Sequence, residues 1–313
     1  MRQSTPMELR MGAAREGRLS LPGLPRMLTS EHPLPWLLPL TAMLLVFTVY
    51  PLIYNIWLSF HEYVPFKRAL VPVGTDNWAR LLADERFWGA MGTTFLYFFV
   101  VLGIELVLGI ALAMLLDSDA PGYGLLRSLL TLTLVIPPAI TGMMFLLMED
   151  AQFGVLTWAL QGIGLLSPDT PILATPSTAL AGVMLADIWQ WTPFMVLIVL
   201  AGLRSLPPEP YEAAMLDGAG PWMIFRKITL PLLSKVLAVA ILIRGIDLFR
   251  VFDYMFVMTS GGPGTSTYTL SLYAWQQTFS FIQWGYGATL SLVTLALILI
   301  LANLFIWISK VRW

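Results

Sequence analysis

Four ionisable side chains recur at every third position inside an otherwise apolar stretch: Arg244, Asp247, Arg250 and Asp253. Residues three apart are neighbours on a helix, so each pair in this alternating series is within reach, with Asp247 bridging two arginines. An Arg or Asp at mid-membrane costs roughly 2.5 to 3.5 kcal/mol on insertion scales. A span carrying all four must pair them internally, line a hydrated cavity, or do both. Other chemistry is excluded by what is missing. With no Cys there is no disulfide, thiolate metal site or thiol nucleophile. The two histidines, His32 and His61, flank the first apolar run and lie far apart. No catalytic residue, metal site or cofactor is expected. A P-loop needs Gly directly before Lys, whereas the lysines follow Phe66, Arg226, Ser234 and Ser309, so energy from ATP would have to come through another polypeptide.

The elements that position these charges follow from composition. Of 313 residues 57% are hydrophobic and 12% charged, with mean hydropathy +0.74, more apolar sequence than a soluble core requires. The chain is expected to be an all-α polytopic membrane protein with six transmembrane helices, near 36–60, 93–116, 125–148, 178–203, 236–259 and 287–309. Pro51 predicts a kink in the first span, and Pro137-Pro138 a bend in the third. Glu105 lies near the middle of the second. Residues 61–91 read as a mixed-charge loop. Residues 1–34 are a basic, Pro/Gly-rich tail with Arg2, Arg10, Arg15, Arg18 and Arg26, ahead of a transmembrane body over 35–313. Arg127, Arg204, Arg226, Lys227, Lys235, Lys310 and Arg312 fall on the tail's side of the membrane. The segments 149–177 and 260–286 contain no Lys or Arg. The positive-inside rule therefore puts both termini in the cytoplasm.

Between spans four and five runs a polar stretch, Glu212 to Pro231, EAAMLDGAGPWMIFRKITLP. Prolines 207, 208 and 210 open a short helix, Glu212 puts a carboxylate near its first turn, and Gly218 can take the left-handed conformation that closes it. Gly220-Pro221 start a second helix, expected to end at Leu230-Pro231. Glu212-Ala213-Ala214, with Gly218 six positions after the glutamate and Ile228-Thr229-Leu230-Pro231 beyond, resembles the EAA signature of the membrane subunits of binding-protein-dependent ABC importers. The stretch from Arg244 to Thr267, with Phe252-Asp253 and Gly261-Gly262-Pro263, and the run Ala186 to Phe194 resemble the sugar-type, maltose-type permeases of that family.

The resemblance covers the chain from about Pro35 onward and implies a type I importer transmembrane domain in a prokaryotic inner membrane. It implies a coupling loop at 204–234, with Glu212, Ala213, Ala214, Asp217 and Gly218 meeting an ATPase. The implied partners are a second permease subunit in a heterodimer, an ATP-binding cassette ATPase dimer and an extracytoplasmic solute-binding protein. Membrane lipid surrounds the chain, and no nucleic acid is involved. A sugar, oligosaccharide or polyol would be the solute. Asp187, Trp189, Gln190 and Trp191, with Arg244, Asp247, Arg250 and Asp253, are the residues expected at the translocation cavity. Aromatic faces beside hydrogen-bonding groups suit carbohydrate, whose C–H faces stack on rings while hydroxyls need partners; the tryptophans also fit an interfacial aromatic belt. The competing reading is a secondary transporter of a polar solute that uses the Arg/Asp series as an ion relay.

Overall fold

The structure, a computed structural model, describes residues 34–309 apart from 119, 168 and 169. The tail arginines, Lys310 and Arg312 lie outside the described residues. The chain divides between Tyr54 and Asn55 into two compact units. The first holds helix α1 (Leu34–Leu44), a π-turn (Leu45–Val49) and the start of helix α2 (Tyr50–Ser59), within which the division falls. Pro51 has no N–H, and its ring would press on the carbonyl of residue 47 in a regular helix. The π-turn, in which the Tyr50 N–H reaches Leu45 O, widens the helix just where the ring must fit. Trp36–Ser59 thus stays one 24-residue apolar helix, none of its most apolar window buried.

The second unit opens outside the expected pattern. Residues 61–91 are not a plain loop. They form a hairpin of β1 (His61–Val64) and β2 (Ala69–Pro72), helix α3 (Asp76–Ala83), and the first turns of α4 (Glu85–Leu116). The buried Asn77 amide donates to Ser59 O at 2.9 Å and His61 O at 3.1 Å, tying α3 to the hairpin. Asp84 caps α4 by accepting from Arg86 N–H at 2.9 Å, which starts the second span at residue 85. At 32 residues and about 1.5 Å per residue, α4 outreaches a hydrocarbon core of about 30 Å. A Cβ on its Gly109 would lie 2.6 Å from Met195 Cβ, so glycine permits the close crossing with α8 (Pro176–Arg204).

Helix α5 (Tyr123–Thr131) and a 3₁₀ turn (Leu132–Val135) meet α6 (Pro138–Met148) at a 98° bend. Ile136, extended ahead of the double proline, leaves its carbonyl outside any helix ladder, and it is not left bare: Gln190 Nε2 on α8 donates to it at 2.5 Å. Helix α7 (Val155–Gly162) follows, and after α8 come α9 (Glu209–Leu216) and α10 (Pro221–Ile224). The second helix of the polar stretch does not end at Leu230-Pro231 as expected. A π-turn (Phe225–Thr229) before Pro231, with the Leu230 N–H on Phe225 O, carries it directly into α11 (Leu230–Phe249). Pro51 and Pro231 are thus accommodated in the same way.

The fifth span also departs from expectation. It stops at Phe249, and after Arg250 to Phe252 the chain restarts as α12 (Asp253–Met258), followed by α13 (Leu270–Trp275) and α14 (Trp284–Ser309). Among the described residues, four helices are long and apolar enough to cross a membrane, and α5–α6 form a further bent pair. The fifth expected span, α11, is not among them: it carries Lys235, Arg244 and Asp247 in twenty residues, a load that only a helix shielded by neighbours can bear. Apart from the small hairpin the regular elements among the described residues are all helices, in keeping with the all-α expectation.

Glu149 ends α6 in an unusual state. It is 1% exposed, its two carboxylate oxygens have no hydrogen-bond donor among the described residues, and it presses against Gly182 of α8. Burial pushes its carboxyl up from 4.5 to about 7. The neutral form therefore favours folding below 4.5, and that contribution is lost as pH rises through about 7. The melting temperature of the purified protein should fall relative to Glu149→Gln across this interval, leaving a gap on the order of 3 kcal/mol above it. Parallel melting profiles of the two proteins would contradict this.

Candidate functional site

Three helices bring one cation and two anions together in the interior. Arg244 of α11 donates from Nε and one terminal nitrogen to the two oxygens of Glu105 on α4, both at 2.8 Å, and from the same terminal nitrogen to Asp187 Oδ1 on α8 at 2.5 Å. Tyr97, about two turns before Glu105 on the same face of α4, donates its hydroxyl to the other Asp187 oxygen at 2.7 Å. Arg244 is 3% exposed, and Glu105, Asp187 and Tyr97 are fully buried. The guanidinium also sits 5.0 Å from the Trp191 ring centroid, a cation–π contact. A polar chain continues from there. Trp191 Nε1 donates to the Tyr254 hydroxyl at 3.1 Å, Tyr254 donates to Gln190 Oε1 at 2.5 Å, and Gln190 satisfies the Ile136 carbonyl at the α5–α6 bend. Each of these named side chains is thus paired with another element, the condition for keeping such a network in a low-dielectric interior.

The layer lies between two apolar clusters. One gathers residues such as Tyr97, Leu102, Val183, Leu248 and Met255; the other Ala113, Leu116, Val199, Leu233 and Leu237. Beside it opens a cleft of about 380 Å³, lined by Asp187, Trp191, Arg244, Asp247, Arg250 and Asp253 together with Tyr254. That volume is within the usual range for small-molecule sites. A groove of about 340 Å³ between α4, α11 and α14, lined by Phe98, Phe249 and Phe305, has only apolar side chains and suits lipid tails.

The expected i, i+3 ladder on a single helix is corrected by this geometry. Asp247 pairs with Arg250 at 2.7 Å, and that pair is solvent-facing, with side chains 36% and 64% exposed. Arg244 turns to the other helices instead, and Asp253 belongs to α12 because the helix breaks at Arg250. The break also removes the continuous relay on which the secondary-transporter reading rested. Asp187 and Trp191 line the cleft, and Gln190 lies behind it. Trp189 does not join them: it is 40% exposed and packs on Phe145 at 5.6 Å, on another face of α8. The network also takes in Glu105, Tyr97 and Tyr254, which carried no role in the sequence reading. The signal for Glu105 was present, since a lone carboxylate in a 24-residue apolar run needs a partner.

At the far end of α4, Asp117 holds Arg204 at 3.2 Å, and α9 follows. Gly218 has φ +75°, the left-handed close expected of it, with the Ala219 N–H on Ala214 O at 2.9 Å. Glu212, Ala213, Asp217 and Gly218 are exposed and Ala214 half-buried. Leu216 is 90% and Trp222 71% exposed. The Tyr211 hydroxyl donates to Thr229 Oγ1 at 3.2 Å, clamping the elbow onto the π-turn.

Long apolar helices that bury a charged layer are those of a protein that sits in a membrane. Residues 105–310 match the family described as the binding-protein-dependent transport system inner membrane component, and the chain belongs to that family. It is a multi-pass inner-membrane protein, and ATP hydrolysis in such systems resides on a separate subunit. It is 36% identical over 278 residues to a trehalose/maltose transport system permease protein, MalF, of Thermococcus litoralis, covering 88% of this chain and 92% of that one. It is 32% identical over 282 residues to a sulfoquinovosyl glycerol transport system permease protein, SmoG, of Agrobacterium fabrum, covering 88% and 89%. In fold it is similar to a chain of a bacterial ABC transporter that imports the acidic polysaccharide alginate, with TM-score 0.75, 22% identity and coverage of 88% and 94%.

The two kinds of charge pair make different demands. Tyr97→Phe leaves a buried Asp187 oxygen without its donor and is expected to cost about 1 to 3 kcal/mol. Asp247→Ala removes only a solvent-facing pair and should cost at most about 1 kcal/mol. Melting of the detergent-purified proteins checks this. The reverse order would contradict the assignment of the buried network.

Proposed function

We propose that this chain is one of two permease subunits of an importer for a sugar, oligosaccharide or polyol, with its termini and the 204–234 loop in the cytoplasm. On this reading residues 1–34 are a cytoplasmic tail and 35–313 the permease body. A solute-binding protein delivers the solute from outside, and an ATPase dimer engages the elbow formed by Glu212, Ala213, Ala214, Asp217 and Gly218. The observation that carries the reading is the cleft beside the charged layer. Arginine and carboxylate groups, the Trp191 ring and the Tyr254 hydroxyl face one volume of about 380 Å³, offering donors, acceptors and a ring to a polyhydroxylated solute. The named solutes of the relatives support the same class, as does a related fold found in complex with an alginate pentasaccharide-bound periplasmic protein.

Coupling follows from the elbow. Exposed Met215, Leu216, Trp222 and Met223 form an apolar patch on a polar loop, the kind of surface that a partner covers. Closure of the ATPase pair would move the patch, and α10 runs through its π-turn into α11, which carries Arg244. The elbow and the charged layer are thus joined by continuous helix. Contacts that differ between two ATPase states would bias two states of the cleft.

A side chain at Gly218 strains the left-handed close, and a reversed charge at Glu212 disturbs the docked face. Gly218→Val and Glu212→Lys should both reach the membrane, yet lose the ATPase on purification or lose stimulation of hydrolysis by solute-loaded binding protein. Normal retention with normal stimulation in both variants would refute the coupling role.

A further inference from the structure

The end of α4 remote from the elbow carries a second built feature. Asp84, the cap of α4, accepts from the Tyr273 hydroxyl at 2.5 Å, from the Tyr286 hydroxyl, and from Arg86 N–H. Burial pushes its carboxyl up, but these hydrogen bonds outweigh burial and hold it below the usual value. Its charge is therefore met by hydroxyls and backbone and not by the arginines beside it. Arg80 lies over the Tyr286 ring, its guanidinium carbon 4.0 Å from the centroid. No ion pair joins Arg80 or Arg86 to an acid among the described residues. Both arginines, Asp84, Tyr273 and Gln277 line one notch of about 370 Å³. Gln277 is 3% exposed, and its side-chain oxygen has no partner.

Two guanidinium groups with no acid partner and a buried amide around one small volume match a carboxylate, which takes several charge-assisted hydrogen bonds at once. We propose that this notch is a socket for an acidic side chain of the solute-binding protein. The proposal rests on the importer reading, which puts this end of α4 on the outer face where that protein must dock. Charge complementarity selects the occupant. With Asp84 occupied by its hydroxyl donors, the notch presents net positive charge, and a carboxylate on the stem of an Asp or Glu reaches Gln277 without burying a bulky headgroup. Contacts of this kind act on encounter rate, salt dependence and register.

The test uses the whole complex, with its second permease and ATPase, in neutral phosphatidylcholine nanodiscs. Fluorescently labelled, solute-loaded binding protein is titrated at low and high salt. Arg86 is the residue to change, because its side chain is exposed and only its backbone caps Asp84. Arg86→Glu is expected to raise the Kd about tenfold or more at low salt, and Arg86→Ala to flatten the salt dependence. One Asp or Glu to Lys change on the binding protein should restore affinity to Arg86→Glu. Wild-type affinity and salt dependence in both Arg86 variants of an intact complex would overturn the socket and leave the importer reading standing. A wild-type preference for anionic nanodiscs that Arg86→Glu abolishes, with binding-protein affinity unchanged, would assign the notch to a lipid headgroup and also overturn it. A wild-type complex that does not bind the binding protein at all would instead sink the importer reading itself.

Discussion

One guanidinium shared by two carboxylates governs this structure. Arg244 comes from α11, Glu105 from α4 and Asp187 from α8, and all three are buried. Each would cost roughly 2.5 to 3.5 kcal/mol facing lipid alone, so the three helices are tolerable only with these faces turned toward one another. The interaction therefore sets their rotation and their depth. The apolar clusters above and below then fill with side chains in matching register. Small residues such as Gly109 let the backbones come near enough for the ions to meet.

Breaks in the helices follow the same logic. A backbone group freed in the membrane must find a partner in protein. At Pro137-Pro138 the partner is Gln190, which also holds Tyr254 and so connects the bend to the charged layer. At Arg250 the chain leaves the helix, and the exposed Asp247–Arg250 pair faces the cleft with the Trp191 ring near Arg244. The interior thus separates two tasks. A buried, fully paired network sets geometry, and the cleft that opens on one side of it presents polar groups.

Much of this was legible in the sequence because membrane sequences carry their solvent in their composition. The apolar runs, the elbow at Gly218, the bend at Pro137-Pro138 and the intramembrane charges were all readable from residue types and spacing. What failed was inference along a single helix. Spacing makes Asp247 the natural partner of Arg244, but the nearer acids in space are 139 and 57 residues away in sequence. Likewise Trp189 and Trp191 are nearly adjacent in the chain yet occupy different faces of α8. Element ends were misplaced for a related reason. The Leu230-Pro231 pair reads as a stop, whereas the π-turn before Pro231 lets the helix continue, as another does before Pro51 inside the first span. The hairpin and α3 carry too little periodic signal to stand out from a charged loop.

If Arg244 neutralises two buried acids, removing it alone must be worse than removing all three charges, because only the first leaves carboxylates facing each other without a cation. The measurement is the amount of assembled protein in the membrane and its melting temperature, for Arg244→Met against the triple variant Arg244→Met, Glu105→Gln, Asp187→Asn. The account predicts that the single variant loses about 3 to 5 kcal/mol and fails to accumulate, while the triple variant recovers most of the loss. A single variant as stable as wild type, or a triple variant no better than the single one, would contradict it.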